Sequence, residues 1–305
     1  MNTGRGAAIE VAGLKKRYRK TVALDGLDLE IPAGAVTGFL GPNGAGKTTT
    51  FRALLGLTRF DSGDVRVLGY PVPKQLFEVT KKVGAIIEEP GLIKALTGRV
   101  NLRVAADQLG HGYHQIDEML ELVGLTGNAD RKVKGYSKGM RQRLALAVAL
   151  IGDPELLLLD EPLDGLDPAG QNTFRARLRT LADEGRTIVV SSHVLADIEA
   201  FADYVVLIDK GRLVAHGPIE ELLQGEAIRV TVENDDAAMS ALAAHGIEAS
   251  STGSGLVVKS SDAAAVVQLL GAAGIFPSDV RTERMSLESF FLDMTGANSA
   301  EEEAT

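Results

Sequence analysis

The sequence predicts an α/β fold with a mainly parallel sheet covered on both faces, followed by a smaller α+β domain. Three features point to it. Short apolar strand patterns at 36–40, 156–159, 187–190 and 205–208 alternate with helical patterns, as parallel sheets require. Gly41-Pro42-Asn43-Gly44-Ala45-Gly46-Lys47-Thr48 reads G-x-x-x-x-G-K-[ST] between such a strand and a helix. The last 80 residues carry four Lys/Arg against thirteen Asp/Glu, which accounts for the whole net charge of −9. That asymmetry sets a domain boundary near Gly225, giving 1–225 and 226–296.

Residues 8–14 and 22–31 alternate apolar and polar, as paired strands do. The basic run 15–20 between them is a turn and includes Tyr18, and Pro32-Ala33-Gly34 is a second turn. After strand 36–40, glycines 41, 44 and 46 let successive N–H groups point at one anion. Lys47 can reach the β- and γ-phosphates, and the Thr48 hydroxyl can ligate Mg²⁺. A helix over 49–57 puts the phosphates at a helix N-terminus.

Residues 92–130 read as mostly helical. Thr97 caps a helix running to about 109, and 116–123 keep an i, i+3, i+4, i+7 stripe. A strong helix over 138–151 stops at Gly152-Asp153-Pro154. Strand 156–159 ends in Asp160-Glu161, an amphipathic helix covers 169–183, and strand 187–190 ends in Ser191-Ser192-His193. Segments 205–208 and 213–215 flank Asp209-Lys210-Gly211-Arg212, a hairpin signal.

Beyond 225 the order is strand at 228–232, helix 236–245, strands 247–251 and 255–260, helix 262–273, and strand 275–283. This is the β-α-β-β-α-β order of a ferredoxin-like unit. A last helix covers 286–295, and 297–305 read as an acidic disordered tail.

With no cysteine, thiol catalysis, thiolate metal sites and disulfides are excluded. His111 and His114 lie in a polar stretch and read as a solvated loop. No apolar run approaches the ~18 residues of a membrane span, and the N-terminus lacks a signal-peptide core, so the expected location is cytoplasmic. The neutral first domain and acidic second one give no basic face for nucleic acid.

Phosphoryl transfer needs a phosphate cradle, a metal, a positioned water and charge stabilisation. Asp160 closes strand 156–159, where a carboxylate can hold Mg²⁺ through its water shell. Glu161 points elsewhere and can polarise the attacking water. Parallel strands gather their C-termini on one edge, which puts His193 beside Lys47 and Glu161.

These motifs, in this order, resemble the ATP-binding subunits of ABC transporters. The resemblance rests on the loop 41–48, Tyr136-Ser137-Lys138-Gly139-Met140 with Arg141-Gln142-Arg143, the Leu-Leu-Leu-Leu-Asp-Glu-Pro of 156–162, Asp164-Gly165-Leu166-Asp167-Pro168 and Ser192-His193, and it spans residues 8 to about 224. It implies a cassette with an antiparallel β subdomain and a helical subdomain at about 92–151. It further implies that ATP lies against Gly41, Pro42, Asn43, Gly44, Ala45, Gly46, Lys47, Thr48 and Thr49, with Tyr18 stacked on adenine. Ser137 and Gly139 would contact the γ-phosphate held by a second cassette, at the N-terminus of the following helix. Asp167 would lie in the loop that communicates between the two sites. Catalytic roles fall to Glu161, His193 and Lys47, and the metal to Thr48, Asp160 and Glu88.

Two departures stand out. The family's Leu-Ser-Gly-Gly-Gln is Tyr-Ser-Lys-Gly-Met here, keeping Ser and the second Gly. Glu88, within Val83-Gly84-Ala85-Ile86-Ile87-Glu88-Glu89-Pro90, stands where the family has Gln. Its carboxylate could bind the metal or its water, but it adds negative charge near the γ-phosphate. Both segments, with Ser286-Leu287-Glu288-Ser289-Phe290-Phe291-Leu292, resemble ATPase subunits of bacterial antibiotic and lantibiotic exporters. The resemblance implies a partner permease in the membrane, a second cassette, and attachment to the inner face of the membrane through the permease. A non-transport ATPase acting on nucleic acid or ribosomes is the alternative; only 89 positions separate Lys47 from Tyr136, leaving no room for the long coiled coil of repair ATPases. A ligand-gated regulatory ATPase is a third reading.

Overall fold

β1 (Ala7–Tyr18) and β2 (Thr21–Pro32) pair antiparallel, with Ile9 opposite Ile31 and Tyr18 opposite Thr21 across the tight turn. The structure is a computed structural model that describes residues 6–88, 91–223, 226–252, 255–260, 262–284 and 286–295. The acidic tail 297–305, the start of the chain and Gly225 lie outside the described residues. By compactness the chain divides into two units, 1–217 and 218–305.

The first unit holds two sheets. One is antiparallel, with order β2-β1-β4-β5, and adds β4 (Ser62–Val67) and β5 (Tyr70–Val72) to the first hairpin. The other begins with β3 (Val36–Leu40), buried at all five positions. Its order is β10-β9-β3-β8-β7-β6. The other members are β6 (Val83–Ile86), β7 (Leu156–Leu159), β8 (Thr187–Ser192), β9 (Tyr204–Asp209) and β10 (Arg212–Pro218). Strands β9, β3, β8, β7 and β6 pair parallel with one another in that order. Strands buried on both faces are continuous apolar runs, and Leu156 to Leu159 is the extreme case.

Helix α1 (Lys47–Leu54) starts directly from the phosphate loop and packs Phe51 on Phe39, ring centroids 5.4 Å apart. The short helix α2 (Leu76–Thr80) precedes β6. Residues 92–130 hold the two expected α-helices, α3 (Gly98–Leu109), capped by Thr97, and α4 (Ile116–Leu122). Gly110, Gly112 and Gly124 break the rest into turns. Helix α5 (Lys138–Leu150) packs against α3, α4 and β6. Helix α6 (Pro168–Asp183) buries Phe174, Leu178 and Leu181 and packs on β3 and β8, and α7 (Leu195–Glu199) follows β8.

Strands β4 and β5, helix α2 and strand β6 have no counterpart in the sequence-based reading. Each is short, β5 contains Pro71, and β6 contains Gly84, which weakens any strand pattern. Gly84 is there for packing: a Cβ on it would lie 2.0 Å from the Ala149 carbonyl oxygen of α5.

The second unit opens with α8 (Ile219–Leu222). Then come β11 (Glu226–Thr231), α9 (Asp235–Ala243), β12 (Ala249–Thr252), β13 (Gly255–Lys259), α10 (Ala263–Ala272) and β14 (Asp279–Arg284). The sheet order is β12-β13-β11-β14, all antiparallel, which together with the element order is the ferredoxin-like topology. Ile228, Val230, Leu256 and Val258 on one sheet face pack with Ala238, Leu242, Val266 and Leu270 of the two helices. The chain's last described element is α11 (Leu287–Thr295).

Candidate functional site

The phosphate loop sits between the C-terminal end of β3 and α1, and close backbone approach dictates its glycines. Gly46 has φ 110°, and a Cβ there would lie 2.7 Å from the Ala23 carbonyl oxygen. A Cβ on Gly41 would lie 2.3 Å from the Ile208 carbonyl oxygen. Lys47 is only 6% exposed. Its ammonium donates to the carbonyls of Gly41 at 2.7 Å and Pro42 at 3.3 Å, and lies 3.4 Å from Glu161 Oε1. A cation buried this deeply must be paired, and the loop carbonyls and Glu161 meet that need. Asn43 and Gly44 are exposed at the loop's tip, Ala45 is buried, and Thr49 is half-buried in the first turn of α1.

The two acids after β7 diverge, as adjacent strand-end residues do. Asp160, 5% exposed, accepts from Thr48 Oγ1 at 2.7 Å on one oxygen and from Ser191 Oγ at 2.5 Å on the other. Ser191 in turn accepts from the Glu161 backbone N–H at 2.9 Å. Glu161 stands at φ 48°, a left-handed conformation uncommon for a residue other than glycine. Its carboxylate spans two partners: Lys47 on one oxygen and His193 Nδ1, at 2.8 Å, on the other. The parallel register makes this meeting possible, since Leu40 lies beside Ser192 and Leu159 beside Val190. The structure therefore brings Lys47, Thr48, Asp160, Glu161 and His193 together on one sheet edge.

Glu88 takes a different partner. It lies two residues beyond β6 at φ 59°, and Arg52 Nη2 of α1 donates to its Oε1 at 2.6 Å. Among the described residues no three His, Asp or Glu side chains cluster as a ready-made metal cage. A hydroxyl and a carboxylate 2.7 Å apart are nevertheless the hard oxygen donors that Mg²⁺ takes alongside phosphate oxygens and water.

The remaining candidates lie at or next to the ends of elements. Ser137 caps α5, accepting from Met140 N at 3.2 Å, and its side chain faces solvent. Tyr136 beneath it is 4% exposed and donates to the Asn128 carbonyl at 2.6 Å, and burial pushes its phenol pKa up. That anchor fixes where Ser137 emerges. A Cβ on Gly139 would lie 3.3 Å from Leu166 Cδ2, so only a small residue fits without adjustment. Asp167 caps α6 by accepting from Gly170 N at 3.2 Å. Tyr18 is 40% exposed; its hydroxyl pairs with Thr58 Oγ1 at 3.2 Å, and the Lys16 ammonium lies over its ring, 4.8 Å from the centroid.

Two contributors escaped the sequence-based reading. Ser191 ties Asp160 to the Glu161 backbone, and its only signal in sequence was its place at the end of β8. Arg52 had none, because its partner is 36 residues away.

Residues 24–164 match the model of the ABC transporter family. The ABC transporter ATP-binding protein YhcH of Bacillus subtilis is 39% identical over 297 residues, covering 96% of this chain and 97% of that protein. The bacitracin transport ATP-binding protein BcrA of Bacillus licheniformis is 43% identical over 216 residues, 70% of this chain and 71% of that one. Among solved structures, an ATP-binding subunit of an ABC transporter superposes with a TM-score of 0.65 at 28% identity, covering 70% of this chain and 91% of that one.

Proposed function

This chain belongs to the ATP-binding subunits of ABC transporters, a family of ATPases, and we propose that two copies close around two Mg-ATP to drive an exporter. The observation that carries the proposal is the Glu161 carboxylate, held between Lys47 and His193 beside an Asp160 already bonded to Thr48. In this reading Lys47 grips the β- and γ-phosphates. Glu161 draws a proton from the attacking water, and His193 keeps that carboxylate aimed. Thr48 and Asp160 would hold Mg²⁺, which supplies charge neutralisation at the phosphate oxygens when bound.

Tyr18 would stack its free face on adenine. Ser137, exposed, and Gly139, half-buried, at the start of α5, would meet the γ-phosphate held by the second cassette, with Asp167 beside the paired site. The oxyanion then sits at a helix N-terminus, which favours negative charge. We assign residues 1–225 to the cassette and 226–296 to an accessory domain.

The antibiotic-like substrate class rests on similarity to a bacitracin transport subunit. Among the described residues no helix is long and apolar enough to cross a membrane. The proposal puts the membrane path in a separate permease, with this chain on its cytoplasmic face. Purifying the tagged full-length chain from solubilised membranes tests that. An integral protein should co-purify in a fixed ratio; a stable RNA companion in its place would overturn the exporter reading.

A further inference from the structure

Helix α1 ties down three acids on one sheet edge. Lys47 reaches Glu161 at 3.4 Å, Thr48 reaches Asp160 at 2.7 Å, and Arg52 reaches Glu88 at 2.6 Å. Thr48 and Arg52 are four residues apart, so they share a helix face. Glu88 leaves the sheet beside the other two acids: β6 runs parallel to β7 with Ile86 opposite Leu159, and Asp160 N donates to the Ile86 carbonyl at 2.8 Å. A carboxylate at this position, where the resembling family has a neutral amide, adds a third negative charge where triphosphate would bind. The edge contains a charge that offsets it, the Arg52 guanidinium. The left-handed backbone at Glu88 is what an over-determined, functionally constrained position displays.

We propose that Arg52 is a positioning residue that latches Glu88 to α1, and that Glu88 leaves Arg52 for the metal-bound nucleotide as the site loads. This rests on the Mg-ATP reading above. The latch makes the two partners compete for one carboxylate. Removing Arg52 frees Glu88 and strengthens the metal-dependent part of nucleotide binding; removing both leaves nothing to release.

The test is equilibrium binding of a fluorescent non-hydrolysable ATP analogue to the full-length chain, with Mg²⁺ and with chelator. Arg52→Ala should bind about two- to fivefold more tightly in Mg²⁺, the scale of a half-exposed ion pair, and no more tightly, or slightly more weakly, in chelator, where the unpaired Glu88 carboxylate faces the triphosphate without a metal. The gain should vanish in Arg52→Ala/Glu88→Gln, and Arg52→Lys should return most of the wild-type value. Equal weakening of Arg52→Ala with and without metal would overturn the latch and make Arg52 a plain phosphate contact. A gain that survives in the double variant, or no change in either condition, overturns it too. Failure of the wild-type chain to bind the analogue at all would instead sink the nucleotide reading beneath it. Melting midpoints of each variant separate a folding defect from these outcomes.

Discussion

Glu161→Gln isolates the step on which the proposed chemistry depends. The substitution keeps the side chain's size and leaves an oxygen to accept from His193, 2.8 Å away, so the site's shape should persist. What disappears is the proposed base. Losing a positioned general base lowers turnover about 10²–10⁴-fold, or about 3–5 kcal/mol in the barrier. ATP binding should move the other way. Glu161 Oε1 lies 3.4 Å from the Lys47 ammonium and, in the proposed site, would compete with phosphate for it. The gross Coulomb attraction at that distance is about 5 kcal/mol at an effective dielectric near 20. Desolvation offsets most of it, leaving about 1 kcal/mol for a partly exposed pair, so ATP affinity should rise by up to about fivefold. Phosphate release under saturating Mg-ATP measures the first effect, and analytical sizing in the same buffer measures pairing. The variant should accumulate as a dimer, and wild type should not. Turnover within about threefold of wild type would remove Glu161 from the mechanism. A variant loaded with Mg-ATP that refuses to pair with any second cassette would refute the two-copy clamp.

Lys47→Ala should abolish measurable nucleotide binding, since it removes the buried cation of the phosphate loop; unchanged affinity in a filter or fluorescence assay would count against the loop assignment. Gly84→Ala forces a methyl to within 2.0 Å of the Ala149 carbonyl and 2.8 Å of Leu157 Cδ2. Overpacking of that kind costs about 1–3 kcal/mol, so the melting midpoint should fall by several degrees, and an unchanged midpoint would refute the close passage of α5 over β6. Removing 226–305 should leave a soluble cassette that still binds ATP and has lost the whole net charge of −9; an insoluble product would argue against the proposed boundary.

The sequence by itself determined the order of the chemistry along the chain. The loop 41–48 is one contiguous segment whose spacing is set by backbone geometry, so it is legible without a fold. Asp160 and Glu161 end an unbroken apolar run, and Thr97 stands where an N-cap must be; these too are local signals. The ferredoxin-like order beyond residue 225 was readable because its strands and helices differ cleanly in period. The tertiary structure alone decided which partners those residues take. Register between β3, β8 and β7 brings His193 and Lys47 to opposite oxygens of Glu161 and places Ser191 between Asp160 and the Glu161 backbone, and the pairing of β6 with β7 carries Glu88 to where Arg52 meets it. Strand β6 is too short, and too weakened by Gly84, to declare itself. It exists because β7 offers it a ladder and α5 presses on it, forces that come from residues more than 60 positions away. Periodicity reports what a segment buries, whereas hydrogen-bond pairing across a sheet depends on which strands become neighbours, and that is settled only when the chain has closed on itself.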